Sequence, residues 1–205
     1  MRLRWSRLGR AGWPLLGLYL AVVGAATAVF ASRRPTPETP RYAAPAPAPG
    51  VRANFAALSA GAVLRVSSYD WFHSHHPLYA IDELVKPEKT EKWATVQKDR
   101  APWLEIKLAV RADLDELALV LAGAFEDKSF TNREFRVRCL RDERDGGTVV
   151  REHVVHGNTD AQPKLPLDCP ATDRVRIEFQ VERVGKSADV VRLYEVSVWG
   201  RPATP

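Results

Sequence analysis

Residues 70–77 read Asp-Trp-Phe-His-Ser-His-His-Pro and carry the most chemistry per residue in the chain. Trp71 and Phe72 are adjacent, and from a tight loop the two cannot both point into one core face. At least one ring is therefore expected at the surface, where burial against a ligand contributes about 1.5–3 kcal/mol. His73, His75 and His76 stand beside them as polar partners. Imidazole is also a common metal ligand, so the same three residues could hold zinc, although His-x-His-His in a loop is a weak pattern for it. The other two histidines, His153 and His156, fall on opposite faces of an expected strand. Cys139 and Cys169 are the only cysteines. In an exported domain an even count suggests a disulfide; the inward phase of Cys139 leaves a buried free thiol as the alternative.

Catalytic patterns are missing from the sequence. It contains no nucleophile elbow, no zinc-protease helix, no phosphate-cradling glycine loop and no dinucleotide fingerprint. The net charge of +5 and pI near 9.4 suggest an acidic partner until the chain is divided. Residues 1–50 hold seven Arg and one acid, Glu38; residues 51–205 hold 23 basic and 24 acidic side chains. The basicity belongs to the N-terminal segment, and nucleic-acid binding is not expected.

The elements that must position the loop begin with that segment. Residues 1–12 are basic and expected in the cytoplasm. Residues 13–32 carry no charge, and about 20 apolar residues match the thickness of a bilayer's hydrocarbon layer as one helix. It is read as a signal anchor. Cleavage as a signal peptide near Ala28 or Ala31 is the alternative, since small residues precede both sites. Either way the rest of the chain lies outside the cytoplasm, as a single-pass membrane protein or as a secreted one. Residues 33–50 contain six of the fifteen prolines and read as a polyproline spacer.

From residue 51 to 205 the apolar period is mostly two, which predicts an antiparallel all-β domain. Leu104, Ile106 and Leu108 alternate with Glu105 and Lys107; Phe135, Val137 and Cys139 alternate with Arg136 and Arg138. Val175, Ile177, Phe179 and Val181 alternate with Arg174, Arg176, Glu178 and Gln180. Residues 117–122 are apolar on both phases, as in a central strand. Asp145-Gly146-Gly147 reads as a hairpin turn. Residues 78–85 could form one short helix, and residues 86–92 and 141–145 read as solvated turns. The layout expected is a sandwich of two sheets.

The order Ser67-Ser68-Tyr69, Ala80-Ile81-Asp82, Trp93, Trp103–Leu108, Gly157-Asn158-Thr159-Asp160, Val175-Arg176-Ile177 and Leu193–Gly200 resembles the discoidin family, the coagulation factor 5/8 C-type domains. That family includes carbohydrate-binding modules with the same galactose-binding-like jelly roll. The resemblance covers about residues 55–201. It implies a discoidin-like jelly-roll sandwich and a non-catalytic binding role, most simply for carbohydrate or a cell-envelope glycoconjugate. In sugar-binding members aromatics stack on pyranose faces while His, Arg and Asn bind hydroxyls, which assigns Trp71, Phe72, His73, His75 and His76 to the ligand. A structural or assembly domain docking onto another envelope protein is the alternative. Bacterial relatives often hold a structural calcium with residues that match Asp82 and Glu195 here. The chain departs from the pattern in the insert before Trp93, in having Glu83 where relatives often have Gly, and in lacking the terminal Cys pair of many animal members.

Overall fold

The computed structural model describes residues 38–87, 91–142, 147–181 and 190–204. The basic N-terminus, the expected anchor at residues 13–32 and its cleavage sites lie outside the described residues. No helix among those described is long and apolar enough to cross a membrane.

Among the described residues eight strands form: β1 (Ala53–Asn54), β2 (Val63–Val66), β3 (Trp93–Ala94), β4 (Trp103–Leu121), β5 (Phe135–Arg141), β6 (Thr148–Val155), β7 (Lys164–Phe179) and β8 (Arg192–Pro202). Every pairing is antiparallel, in the order β1-β8-β4-β7-β5-β6, with β2 also on β4 and β3 also on β8. Two separate sheets are expected from the sequence; instead one continuous sheet folds over on itself. The cause is the length of β4 and β7, 19 and 16 residues. At about 3.3 Å per residue a straight β4 would span roughly 60 Å, too long for a domain of this size. Residues 103–107 lie between β2 and the end of β7. Residues 112–121 lie between the start of β7 and β8.

Both ends of β4 consequently reach the same end of the domain. The Ser67 N–H donates to the Trp103 carbonyl (2.9 Å), and three residues later the Asp70 N–H donates to the Ala94 carbonyl (2.8 Å). Ala94 pairs with the start of β8, whose Leu193 pairs with Leu121. At the fold-back the β4–β7 register shifts between Lys107 and Ala112. Ala171 there takes a left-handed φ of 45°, and its N–H donates to the Asp113 carboxylate (2.7 Å).

Folding the sheet places its two halves around one core. Leu104, Ile106, Val137 and Ile177 from one half join Leu117, Leu119, Val196 and Val198 from the other. Buried Trp93 packs against Phe179 at 6.4 Å between ring centroids, and Phe179 against Phe135 at 5.9 Å. The alternation read from the sequence matches the buried phase of β4, β5 and β7. Glu105 departs from it: the side chain faces outward yet is buried beneath Arg174 (3.3 Å) and Arg176 (3.5 Å). Residues 117–121 are part of a central strand, with Ala118 and Val120 only half-buried, and Ala122 opens a 3-10 turn instead.

Three further expectations are corrected. Residues 78–85 form no α-helix; a 3-10 turn spans Pro77–Ala80 and ends at Ile81, whose φ of −140° is not helical, and Glu83 beyond it has a positive φ of 62°. Lys92 is not part of a solvated turn: its ammonium is buried against Glu126 (3.0 Å). Nor is the proline-rich stretch wholly free of the domain. Buried Thr39 exchanges two 2.8 Å hydrogen bonds with Leu64, and Glu38 pairs with Arg65.

Candidate functional site

Asp70 shapes the loop after β2. Its carboxylate accepts from the ring Nδ1 (2.6 Å) and, at 3.4 Å, the backbone N–H of His73, closing a 3-10 turn over Trp71–His73. Partial burial raises the Asp70 carboxyl, but the bonds from His73 outweigh it and hold the group below its ordinary value. Ser74 ends the turn at a φ of 59°. The loop is thus pinned at its base, while Trp71 and Phe72 project at its tip, 72% and 75% exposed. Neither ring plugs the end of the sandwich.

The two rings stand edge-to-face, 6.0 Å apart at 83°, and so make a corner. His73 lies edge-on to Phe72 (5.2 Å) and stacked with His75 (6.0 Å). His76 turns away from the tip: its Nδ1 accepts from Leu78 N–H (3.2 Å) and its ring packs edge-on against Tyr69. Burial pushes the His76 imidazole down. Trp71, Phe72, His73 and His75 therefore share the tip, and His76 belongs to its base. No group of three or more His, Cys, Asp or Glu is arranged to hold a metal ion among the described residues.

A second feature at this loop end has no counterpart in the sequence reading. A groove of about 810 Å³ is lined by Lys128, Phe130, Asn132, Asn158, Asp160 and Gln180, among others. The Asn158 amide donates to the Asn132 carbonyl (2.9 Å) and the Asp160 carbonyl (2.8 Å) and accepts from Asp160 N–H (3.2 Å). Asn132 Oδ1 is buried without a hydrogen-bond partner, an acceptor that a ligand hydroxyl would satisfy. The groove's aromatic wall, Phe130, lies under the Arg192 guanidinium at 4.0 Å. Arg192 is in turn held by Glu126 (2.6 Å), which also accepts from the Tyr194 hydroxyl (3.0 Å) and pairs with Lys92. Amides, hydroxyls, one acid and one aromatic in a concave site are the groups that bind polyhydroxylated ligands.

No protein-family model matches the chain, and no curated protein matches it. Solved structures do match. The lectin domain of Lectinolysin complexed with Lewis B antigen is 16% identical, with a TM-score of 0.57 over 71% of this chain and 95% of that one. A fucose-binding module of Streptococcus pneumoniae, SpX-3, is 21% identical (TM-score 0.54, 71% and 96% covered). The family 32 carbohydrate-binding module of S. pneumoniae EndoD is 15% identical (TM-score 0.57, 73% and 100% covered).

This chain has the carbohydrate-binding-module fold. At these identities the likeness is one of fold, and it agrees with the discoidin-like jelly roll expected from the ordered motifs.

Asp82 and Glu195 come together, as the resemblance implies. Glu195 is buried on β8, where neither carboxylate oxygen has a hydrogen bond of ordinary geometry and the Glu83 backbone N–H only partly offsets its burial. Burial, reinforced by the Asp82 charge, pushes its carboxyl up to about 9. Burial likewise raises Asp82, whose Oδ1 accepts from Leu84 N–H (3.0 Å). Two neighbouring carboxylates are oxygen donors of the kind a hard divalent cation takes, and they would supply part of the six to eight oxygens that calcium requires. Cys139 and Cys169 are bonded to each other, and both are buried.

Proposed function

We propose that this domain is a non-catalytic carbohydrate-binding module, held outside the cytoplasm by its N-terminal segment and presenting its loop end to a cell-envelope or surface glycan. The observation that carries the reading is the pairing of two exposed aromatics, Trp71 and Phe72, with an amide-lined groove at the same end of the fold. An exposed indole and phenyl are costly to hydrate and gain most by covering the apolar face of a sugar ring. His73 and His75 beside them supply donors and acceptors for hydroxyls. The structural neighbours are themselves named for fucose, Lewis B and carbohydrate binding, which supports the same class of ligand here.

A glycan array probed with the purified chain tests the proposal. Replacing Trp71 and Phe72 together with Ala is expected to weaken binding to the best glycan at least tenfold, with an unchanged melting temperature, because both rings are exposed. Unaltered affinity would remove the tip from the site. Silence across the array, with an envelope protein co-purifying through the intact domain, would favour the assembly role instead.

Within the same reading, Asp82 and Glu195 hold a structural calcium that relieves the buried charge and fixes residues 81–84 against β8. Millimolar calcium is expected to raise the melting temperature by several degrees over the chain in chelator. The double variant Asp82→Asn/Glu195→Gln should show no such shift; an equal shift in both proteins would place the ion elsewhere.

A further inference from the structure

A second groove, of about 760 Å³, lies where the ends of β6 and β7 meet the starts of β4 and β5, and it shares Gln180 with the groove beside Asn132. Register aligns Val154, Arg136, Glu178 and Trp103 in one row across these four strands. The next row is Glu152, Arg138, Arg176 and Glu105. Arg100 and His156 complete the rim, with Glu134 on the adjoining wall.

The charges in this groove are unequally committed. Glu134 is satisfied on both oxygens, by His156 (2.5 Å) and the Gly157 N–H (2.8 Å). Glu178 is taken by Arg176 (3.0 Å) and Arg138 (3.4 Å). Arg176 is spent on Glu178, Glu105 and the face of Trp103, over which it lies at 4.0 Å. Two cations remain. Among the described residues Arg136 reaches only Glu152, at 3.8 Å, and that oxygen is already held by Arg138 at 2.7 Å. Arg100 is exposed and has no ion-pair partner among the described residues. Trp103, three residues from Arg100, and the half-exposed Val154, beside Arg136, are the apolar ends of the row.

We infer that this groove is a second saccharide site, selective for acidic sugars, in which Arg100 and Arg136 bind carboxylate or sulfate groups while the sugar rings lie along the row against Trp103 at one end and Val154 at the other. Two guanidinium forks match the paired oxygens of such a group, and the volume accommodates a disaccharide. The inference rests on the carbohydrate-binding reading above but not on the aromatic tip or the groove beside Asn132. An acidic glycan engaging both grooves would be bound with the avidity of two linked contacts.

Calorimetric titration of the full chain in detergent micelles, with digalacturonate and galactose 6-sulfate as the anionic probes and digalactose as the neutral comparator, tests it. At least one anionic probe is expected to bind tenfold or more tightly than digalactose and to weaken several-fold between 50 and 300 mM salt. Arg100→Gln/Arg136→Gln should cost that probe at least tenfold and leave the affinity for digalactose within twofold. Arg100 is exposed and Arg136 half-buried, so an unchanged melting temperature separates binding from folding. Equal anion affinity in wild type and Arg100→Gln/Arg136→Gln overturns the inference. So does failure of both anionic probes while a neutral glycan still binds, which leaves the module reading intact. If no saccharide of either kind binds, both readings fall.

Discussion

Glu126→Ala is expected to destabilise the domain by about 3–5 kcal/mol, the cost of leaving a buried charge without its partner. The Lys92 and Glu126 side chains are 1% and 6% exposed, with nitrogen and oxygen 3.0 Å apart. Arg192 and the Tyr194 hydroxyl also bind this carboxylate, so its removal strands two cations and a phenol together. Denaturant unfolding reads the loss. Replacing Lys92 with Met and Glu126 with Leu together should recover much of it, because no unpaired ion is then left inside. A Glu126→Ala loss below about 1 kcal/mol would mean that water enters and solvates Lys92. There is also an acid signature. Burial alone would raise the Glu126 carboxyl, but Lys92, Arg192 and Tyr194 outweigh burial and hold it below its ordinary value. A depressed carboxyl contributes stability that is present above its unfolded value, near 4.5, and is lost as pH falls through the folded one. Wild type should therefore lose more stability than the Lys92→Met/Glu126→Leu variant below about pH 4.5.

The strands were legible because their inward phases are written in the sequence: Phe135, Val137 and Cys139 on β5, or Val175, Ile177 and Phe179 on β7, admit one buried face. The fold-over of the sheet was not legible. Nothing in the local alternation of β4 says that one strand serves both halves; the length of the run from Trp103 to Leu121 was the available clue. Asp82 and Glu195 were reached only through resemblance, since 113 residues separate them in the chain. Lys92 and Glu126 carried no signal of pairing, because charged residues in turn-like stretches usually remain solvated. The groove beside Asn132 lay closer to reach. Phe135 pairs with Val155, so continuing the hairpin three residues outward brings Asn132 opposite Asn158. The obstacle was a register shift between Cys139 and Leu140, which moves the pairing by one residue and leaves no mark on the alternation. The aromatic tip needed no tertiary information at all, since adjacent Trp and Phe in a tight loop already exclude a shared core face.

Replacing Cys139 and Cys169 with Ser is expected to lower stability by about 3–4 kcal/mol, from the loop-closure entropy of a 30-residue separation, and to leave glycan affinity within twofold. The first half follows from position as well as loop length. Cys139 pairs with Val175 in one half of the folded sheet, whereas Cys169 pairs with Leu114 in the other. The bond therefore fastens the two halves across the core beside the bend of β7, where Ala171 holds a left-handed φ. Two buried hydroxyls left in its place add a desolvation cost. The second half follows from the fold-over: the loops carrying Trp71, Asn132 and Asn158 gather at the end where β4 begins and finishes, away from its bend. Those loops are positioned by Asp70 with His73, Asn158 with Asp160, and Glu126 with Arg192, none of which touches either cysteine. Denaturant unfolding and glycan titration of the same variant separate the two effects. A large affinity loss at a temperature where the variant stays folded would show that the bond shapes the loop end, and that the two ends of this sandwich are mechanically coupled.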